Sequence, residues 1–210
     1  MSIHNNTLRL KGLKAIAEAL PDFTYGDCYI EENTAGGLTY DVDIRDVSEG
    51  AKISEFVVSS DPVVIGELNL PNVVNLRGYA FYSSDSTITK LTAPKLKKVG
   101  YYAFYNNYNL RLDALPDSIE EIQYNGFYLC SNLTFSTLPT NLKIIGERAF
   151  YGCHGLKSVT FKSTPTSIST LAFEGCSQLR TIKVPWASGE IPGAPWGASN
   201  AKVTYNYTEE

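Results

Sequence analysis

The chain has 210 residues, with 18 basic and 22 acidic side chains and a formal net charge of −4. This balance argues against nucleic acid as a partner, because neutralising phosphates requires a concentrated basic patch, and the densest one here, at 95–98, holds three lysines. The sequence has no run of about 18 apolar residues, so it predicts no membrane span. The N-terminus also lacks the basic start and apolar stretch of a signal peptide. We therefore expect synthesis in the cytoplasm and no membrane insertion.

The remaining composition favours β structure. Charged residues make up 19% of the chain, whereas tyrosine alone occurs 14 times. A helical bundle needs a larger charged surface, and aromatic residues separated by turn formers are typical of strands. With 43% hydrophobic residues, the chain can bury a substantial core in one domain or in one domain plus a small module.

Residues 1–50 predict a small α+β cap or docking module at the N-terminus. Apolar residues at helical spacing over 7–20, ended by Pro21, predict a short amphipathic helix. Alternation of apolar and polar residues then predicts a hairpin over 28–44. Together these elements could cover the open first turn of whatever follows.

Five phenylalanines spaced 23 residues apart indicate an internal repeat. Such a period is typical of a solenoid, in which each coil stacks on the next and equivalent side chains form ladders about 4.8 Å apart. Counting back one period predicts a degenerate first coil over 51–70, with Ile53 and Val58 at the equivalent positions. The phenylalanine ladder comprises Phe81, Phe104, Phe127, Phe150 and Phe173, and Leu76, Val99, Ile122, Ile145 and Ile168 lie five residues before them.

Residues 187–210 are predicted to form a β cap at the C-terminus. The segment 184–198 abandons the 23-residue period, its glycines and prolines exclude a helix, and a last strand is expected over 202–207. Trp186 and Trp196 are predicted to plug the exposed end of the core. A ligand-binding role for these tryptophans is the alternative.

Three cysteines share one repeat position. Cys130, Cys153 and Cys176 would point in parallel along a ladder, which disfavours disulfides among them. A metal site is also disfavoured, because there is no Cys-x-x-Cys and the only nearby histidine is His154. We expect small, apolar, buried and reduced thiols, which fit a protein that folds in a cytosol. Cys28 lies alone in the predicted N-terminal cap.

The sequence contains no pattern that predicts catalysis. His4 lies near the terminus and His154 in a turn, and neither has the carboxylate and nucleophile that a hydrolytic triad requires. Asp41, Asp43 and Asp46 lack the spacing and the closing glutamate of an EF-hand, so they indicate a solvated strand face. We expect no catalytic residue, no cofactor and no metal.

A second ladder, of tyrosines, immediately follows the phenylalanines. Stacked phenols offer large and rigid contact area, which suits recognition of a protein or a carbohydrate. The alternative is that the tyrosines only pack against each other. The ladder comprises Tyr82, Tyr105, Tyr128 and Tyr151, and Tyr79, Tyr101, Tyr102, Tyr108 and Tyr124 lie close to it in the repeat.

The predicted strands offer another candidate surface. Segments 156–161 and 179–184 end in apolar/polar alternation, which predicts short strands with one buried face. Parallel strands along one side of a solenoid form the extended surface that repeat proteins use for partners. The outward side chains would be those of Ser158, Thr160, Lys162, Thr181 and Lys183.

The repeat resembles that of the BspA-like leucine-rich repeat family. The segments 145–159 and 168–179 carry the resemblance, with their shared Ala-Phe, Gly-Cys and Leu positions. Ser84 and Asn107 stand where the family has cysteine. The resemblance covers roughly 62–186. It implies an α/β leucine-rich repeat solenoid, β-rich, with five to six 23-residue coils over 51–186.

The resemblance also implies a role in attachment to surfaces, since BspA-like proteins look like adhesins of host-associated bacteria. The C-terminal Pro-Trp and Ala-Pro-Trp-Gly-Ala pieces are similar to the tails of leucine-rich repeat proteins of gut bacteria and their phages. The sequence thus predicts a non-catalytic module that binds a protein or carbohydrate on a host or bacterial surface. It would be surface-associated or part of a phage tail.

A structural role is the alternative hypothesis. In that case the solenoid is a spacer or an assembly subunit of a larger particle such as a phage tail, and residues 1–50 dock it there. Deleting residues 1–50 discriminates the two, because a binding module keeps its ligand whereas a docking subunit loses incorporation.

Overall fold

The computed structural model describes six stretches of the chain, residues 42–43, 55–56, 65–70, 73–76, 78–82 and 87–208. The predicted helix at 7–20 lies outside them, as does the predicted hairpin except for Val42–Asp43, which form a strand. In these stretches all regular elements are β-strands. They accordingly include no helix long and apolar enough to cross a membrane.

Twelve short strands are present in the described stretches, and most have two or three residues. They are β1 (Val42–Asp43), β2 (Glu55–Phe56), β3 (Ile65–Asn69), β4 (Asn75–Leu76), β5 (Thr87–Thr92), β6 (Lys98–Val99), β7 (Glu121–Ile122), β8 (Ile144–Ile145), β9 (Ser158–Thr160), β10 (Ser167–Ile168), β11 (Thr181–Lys183) and β12 (Lys202–Thr204). The strands predicted in 156–161 and 179–184 are confirmed as β9 and β11, whereas the last strand is shorter than the predicted 202–207.

The strands form three parallel sheets. A six-stranded sheet runs in the order β2-β4-β6-β7-β8-β10. A three-stranded N-terminal sheet (β1-β3-β5) and a three-stranded C-terminal sheet (β9-β11-β12) carry the other strands. Each strand therefore pairs with the equivalent strand of the neighbouring coil, and not with another strand of its own coil as in a hairpin. This pattern confirms a β-rich solenoid.

The 23-residue period is the pairing register of the coils. Val99 lies opposite Ile122, which in turn lies opposite Ile145. The first coil differs, because β2 places Phe56 opposite Leu76. The prediction that Ile53 is the equivalent of Leu76 is therefore wrong, and this coil is 20 residues long at that position.

The phenylalanine ladder is the spine of the core. All five rings are buried, and successive rings stack with centroids 5.1 to 5.6 Å apart and planes within 8° of parallel. Six residues after the last four of these phenylalanines lie leucines that are also completely buried, Leu110, Leu133, Leu156 and Leu179. Because each coil is one layer thick, these apolar side chains are covered only by the coils on either side.

The cysteine ladder is buried as predicted, and its thiols are free of disulfides. The thiols are not merely apolar, however. Each donates a hydrogen bond to the carbonyl of the phenylalanine one coil earlier: Cys130 Sγ to Phe104 O (2.9 Å), Cys153 Sγ to Phe127 O (3.1 Å) and Cys176 Sγ to Phe150 O (3.0 Å). The thiol thus satisfies a buried backbone acceptor, whose unpaired burial would destabilise the fold.

Asn107 makes the same bond in one of the two coils where cysteine is missing. Its Nδ2 donates to Phe81 O, and the side chain is completely buried. The position therefore requires a small side chain with a donor, which both cysteine and asparagine provide. Asparagine in place of cysteine therefore preserves the hydrogen bond of this position.

The C-terminal segment closes the core with its tryptophans. Trp186 and Trp196 are buried, with ring centroids 6.1 Å apart, and Trp196 Nε1 donates to Pro192 O (2.9 Å). Phe161 contacts both rings, with centroids at 5.1 Å and 5.9 Å. This arrangement agrees with the plug predicted from the sequence.

The prediction that 184–198 abandons the 23-residue period is wrong. Ile191 and Trp196 lie 23 residues after Ile168 and Phe173, and both are buried. Consistent with that register, Gly193 lies against Thr170. The chain shortens only afterwards, because β12 pairs with β11 at a separation of 21 residues.

Candidate functional site

Tyrosines concentrate on the turns that follow the six-stranded sheet. The four tyrosines after the phenylalanines form a stacked row, with ring centroids 4.4 to 4.8 Å apart and planes within 14° of parallel. We call the whole cluster the tyrosine ridge. It comprises Tyr79, Tyr82, Tyr101, Tyr102, Tyr105, Tyr124, Tyr128 and Tyr151.

A second row runs beside the first. Tyr79 and Tyr102, each two residues before a spine phenylalanine, stack with centroids 5.1 Å apart and planes 4° from parallel. Tyr102 also contacts Tyr105 of the first row, at 5.2 Å and 54°. The two rows therefore form one continuous aromatic surface across neighbouring coils.

Tyr101 and Tyr124 stand on the outer side of the second row. The ring of Tyr101 is perpendicular to those of Tyr79 and Tyr102, and that of Tyr124 is perpendicular to Tyr102. The ring of Tyr101 lies directly over Gly78, in the space that any side chain at 78 would occupy. Because glycine has no side chain, Gly78 allows the ring of Tyr101 to pack against the backbone of the preceding coil.

The ridge is exposed. Tyr79 and Tyr101 are each 48% exposed and Tyr124 is 39% exposed, while the stacked row is half-buried. With Tyr108 and Ile144, these three are the large exposed hydrophobic residues of the stretches that the structure describes. Tyr108 lies further along the turn, where its carbonyl accepts a hydrogen bond from Asn132 Nδ2.

Tyr79 and Tyr102 occupy backbone positions that do not favour tyrosine. Their φ angles are 63° and 55°, in the left-handed region that bulky residues seldom adopt. Later coils have the same backbone at this position and carry Asn125 (φ 54°) and Arg148 (φ 52°) there. The turn therefore does not require an aromatic residue at this position.

Two hydroxyls of the ridge, those of Tyr102 and Tyr128, are favoured in their neutral form. The pKa of Tyr102 is raised, first by its side-chain hydrogen bond with Tyr124 and then by burial. The pKa of Tyr128 is raised by burial and by the neighbouring Tyr151 and Tyr105. These two phenols can therefore donate as well as accept hydrogen bonds.

Charges bound the ridge at its C-terminal end. Arg148 Nε donates to Glu174 Oε2 (2.7 Å), and the guanidinium carbon lies 5.9 Å from the centroid of Tyr151. Glu147 follows Tyr101 and Tyr124 in its column of the repeat. The tyrosine ladder was predicted from the sequence. The replacement of tyrosine by charged residues in the coil of Glu147 and Arg148 was not recognised from it.

The strand residues predicted as a second surface lie elsewhere on the coil. Ser158 pairs with Thr181 and Thr160 with Lys183 across β9 and β11, while Lys162 is exposed beyond β9. The structure therefore brings four of the five together in the C-terminal sheet. They are half-buried, and Lys183 Nζ lies 4.4 Å from the ring centroid of Tyr207.

His154, for which the sequence predicts no catalytic role, has a hydrogen-bond partner in the next coil. His154 Nδ1 lies 3.0 Å from Ser177 Oγ in the next coil, at an exposed edge. Within the described stretches no three histidine, cysteine or acidic side chains gather in a way that could hold a metal ion. Of the three aspartates considered for calcium, Asp41 and Asp46 lie outside those stretches and Asp43 is in β1.

Parallel coils stacked on a leucine and phenylalanine core define a leucine-rich repeat solenoid. Residues 64–193 match the model of the BspA type leucine rich repeat region in six copies. The chain belongs to this family.

Solved structures of bacterial leucine-rich repeat proteins are similar to the chain. A protein of Bacteroides ovatus is 24% identical, with a TM-score of 0.45 over 63% of this chain and 31% of its own. A leucine-rich repeat protein of T. pallidum is 24% identical, with a TM-score of 0.48 over 75% and 71%. A leucine-rich cell surface protein of Faecalibacterium prausnitzii is 17% identical, with a TM-score of 0.35 over 63% and 48%.

The chain thus spans about a third of the length of the Bacteroides ovatus protein and about half of that from Faecalibacterium prausnitzii. Among curated proteins, no sequence match to the chain was found.

Proposed function

We propose that this protein is a non-catalytic binding module that recognises a protein or carbohydrate partner, on a host or bacterial surface, through its tyrosine ridge. The observation that carries the proposal is the exposed tyrosine surface on a backbone that does not require it. Tyr79 and Tyr102 take left-handed positions that Asn125 and Arg148 occupy in later coils. An energetically unfavourable choice of residue that recurs on an exposed surface points to a role in recognition.

The chemistry of the ridge suits recognition. Tyrosine supplies large contact area with few rotatable bonds, and stacking against neighbours restricts those bonds further, so little side-chain entropy is lost on binding. The C-terminal sheet is the weaker candidate. Its outward side chains, such as Thr160 and Lys183, are polar and half-buried, and they form an ordinary solvated strand surface.

The test is a carbohydrate and surface-protein array probed with matched variants. Tyr101→Ser/Tyr124→Ser removes two exposed rings of the ridge, and Lys162→Ser/Lys183→Ser alters the C-terminal sheet to the same extent. We expect the first variant to lose the signals of the natural chain and the second to keep them. The reverse result would overturn the assignment to the ridge, with far-ultraviolet circular dichroism confirming that both variants are folded.

A further inference from the structure

The length and chemistry of the ridge narrow the class of partner. Its rows run along the solenoid axis, and ring centroids in the stacked row recur every 4.4 to 4.8 Å. The side chains of the ridge are phenols, and Glu147, Arg148 and Glu174 end the tyrosine columns. A partner lying along the ridge meets mainly phenol rings and hydroxyls, and its contacts must repeat in step with the coils.

Stacking decides which parts of the rings remain available. In the row from Tyr82 to Tyr151 the faces of the inner rings are covered by neighbouring rings, so the row offers edges and hydroxyls. Sugar rings bind aromatic side chains mainly through their faces, and this row has few to offer. A phenol hydroxyl can donate a hydrogen bond, which suits a partner with free carbonyls along its length.

The repeat distance then discriminates between conformations of a polypeptide. Two coils advance by about 9.6 Å, and one turn of a polyproline II helix, three residues at about 3.1 Å, advances by about 9.3 Å. Side chains on one face of a β-strand recur about every 6.6 Å, which fits neither one coil nor two. An α-helix uses its carbonyls internally, whereas those of polyproline II are free.

We propose that the tyrosine ridge binds a proline-rich segment in the polyproline II conformation, lying along the solenoid axis. One turn of the segment spans two coils, so the same face of the segment contacts the ridge at every second coil. Phenol hydroxyls donate to its carbonyls, and proline rings pack against the exposed rings of Tyr79, Tyr101 and Tyr124. Aromatic surfaces are a general means of recognising this conformation. This inference rests on the proposed function, since it names the partner class of the same surface.

The experiment is a fluorescence-anisotropy titration of the full chain with a labelled oligoproline peptide of about nine residues, long enough to span the ridge. Glycine-serine and alanine-rich helical peptides of the same length are the reference probes. We expect saturable binding of oligoproline alone. Tyr101→Ser/Tyr124→Ser should weaken it about tenfold or more, the effect of losing aromatic anchors, while Tyr207→Ser should leave it unchanged.

A second variant tests the ridge without removing a tyrosine. Gly78→Ala places a methyl group where the ring of Tyr101 lies, so the ring must move. We expect weaker oligoproline binding with an unchanged circular dichroism spectrum. If the Tyr101→Ser/Tyr124→Ser chain unfolds, this variant decides the outcome.

Three results would overturn the inference. They are no saturable binding of oligoproline, equal binding of the reference peptides, and binding that the ridge variants leave unchanged. If oligoproline fails but a carbohydrate or another protein binds and loses affinity in Tyr101→Ser/Tyr124→Ser, the proline-rich partner is wrong and the proposed function stands. If no array partner responds to the ridge variants, the proposed function fails as well.

Discussion

Equivalent positions of successive coils form columns along the solenoid, and the buried (inner) columns repeat their residues more strictly than the exposed (outer) columns. Inside, the spine position is phenylalanine in five coils, and the donor position is cysteine or asparagine in four. Outside, the column of Tyr101 and Tyr124 becomes glutamate in the next coil, and that of Tyr79 and Tyr102 becomes asparagine and then arginine. The inner columns are fixed by the need to stack, whereas the outer columns are free to vary. Tyrosine on the outside is therefore informative about function.

The strongest test of the inner columns is the removal of one spine ring. Phe127 stacks between Phe104 and Phe150, with centroids at 5.1 Å and 5.6 Å. Phe127→Ala should lower the free energy of unfolding by about 3–5 kcal/mol, because it removes buried area and leaves a cavity. Urea unfolding followed by circular dichroism measures the change, with Phe127→Leu as a milder control. A loss below about 1 kcal/mol would show that the spine does not support the fold.

The donor column comes next. Asn107→Ala leaves the carbonyl of Phe81 buried without its donor, and should lower the free energy of unfolding by about 1–3 kcal/mol. Asn107→Cys should be much less damaging, because cysteine makes this bond in the following coils. Urea unfolding of the two variants distinguishes them. Equal destabilisation would contradict the assignment of the position as a hydrogen-bond donor.

The thiols give the inner columns a signature at alkaline pH. Burial raises the pKa of Cys153 well above its ordinary value and that of Cys176 to about 12. Their protonated burial thus stabilises the fold fully below pH 9, the ordinary value, and this contribution is lost as pH rises toward the folded-state pKa. Each such thiol should lower the unfolding free energy by about 1.4 kcal/mol per pH unit above pH 9.

Serine supplies the control for the alkaline test, since its hydroxyl can donate the same bond and does not ionise in this range. Unfolding of Cys153→Ser should therefore depend less steeply on pH between 9 and 11 than unfolding of the natural chain. Identical slopes would mean that the thiol ionises in the folded state.

The outer columns should behave in the opposite way. Tyr101→Ser/Tyr124→Ser removes ring contacts with Tyr79 and Tyr102 at an exposed surface, where little buried area is lost and no cavity forms. We expect a loss of stability well below that of Phe127→Ala, measured by urea unfolding. A loss as large as that of Phe127→Ala would make the ridge structural and remove the main argument for recognition.

The smallest effect is expected at the ion pairs between coils. Glu120 contacts Lys97 (3.1 Å) and Lys143 (2.6 Å), and the lysines are largely exposed. The hydrogen bond from Lys143, followed by that from Lys97, lowers the pKa of Glu120, so this stabilisation is present above pH 4.5 and lost below it. Lys143→Ala should change thermal unfolding only slightly and only at low salt. A large change persisting at high salt would contradict this assignment.

The difference between the columns also explains what the sequence could predict. The spine phenylalanines and the cysteines repeat because each must pack against the same residue of the next coil. The 23-residue period therefore predicted the fold, the strands and the buried thiols. The donor role of Asn107 and the cysteines could not be predicted, because it depends on a carbonyl one coil away. A clue was present, since cysteine and asparagine share a size and a donor.

The missed continuation at Trp196 has a different cause. The 23-residue register continues there, but tryptophan replaces phenylalanine at the spine position. The surrounding glycines and prolines also differ from the residues of the earlier coils, so the repeat is difficult to recognise from the sequence. Counting 23 residues from Ile168 and Phe173 would have found Ile191 and Trp196. The second tyrosine row was near the predicted ladder, but its left-handed backbone is a property of the folded turn and not of the sequence pattern.

The most direct test is to measure binding and unfolding side by side in one inner and one outer variant. Phe127→Leu and Tyr101→Ser/Tyr124→Ser are compared with the natural chain, using an array partner or oligoproline and urea unfolding. The inner variant should lose stability and keep its affinity for the partner. The outer variant should keep most of its stability and lose affinity about tenfold or more. If both variants lose stability while affinity follows only the folded fraction, the tyrosine ridge is not a recognition surface.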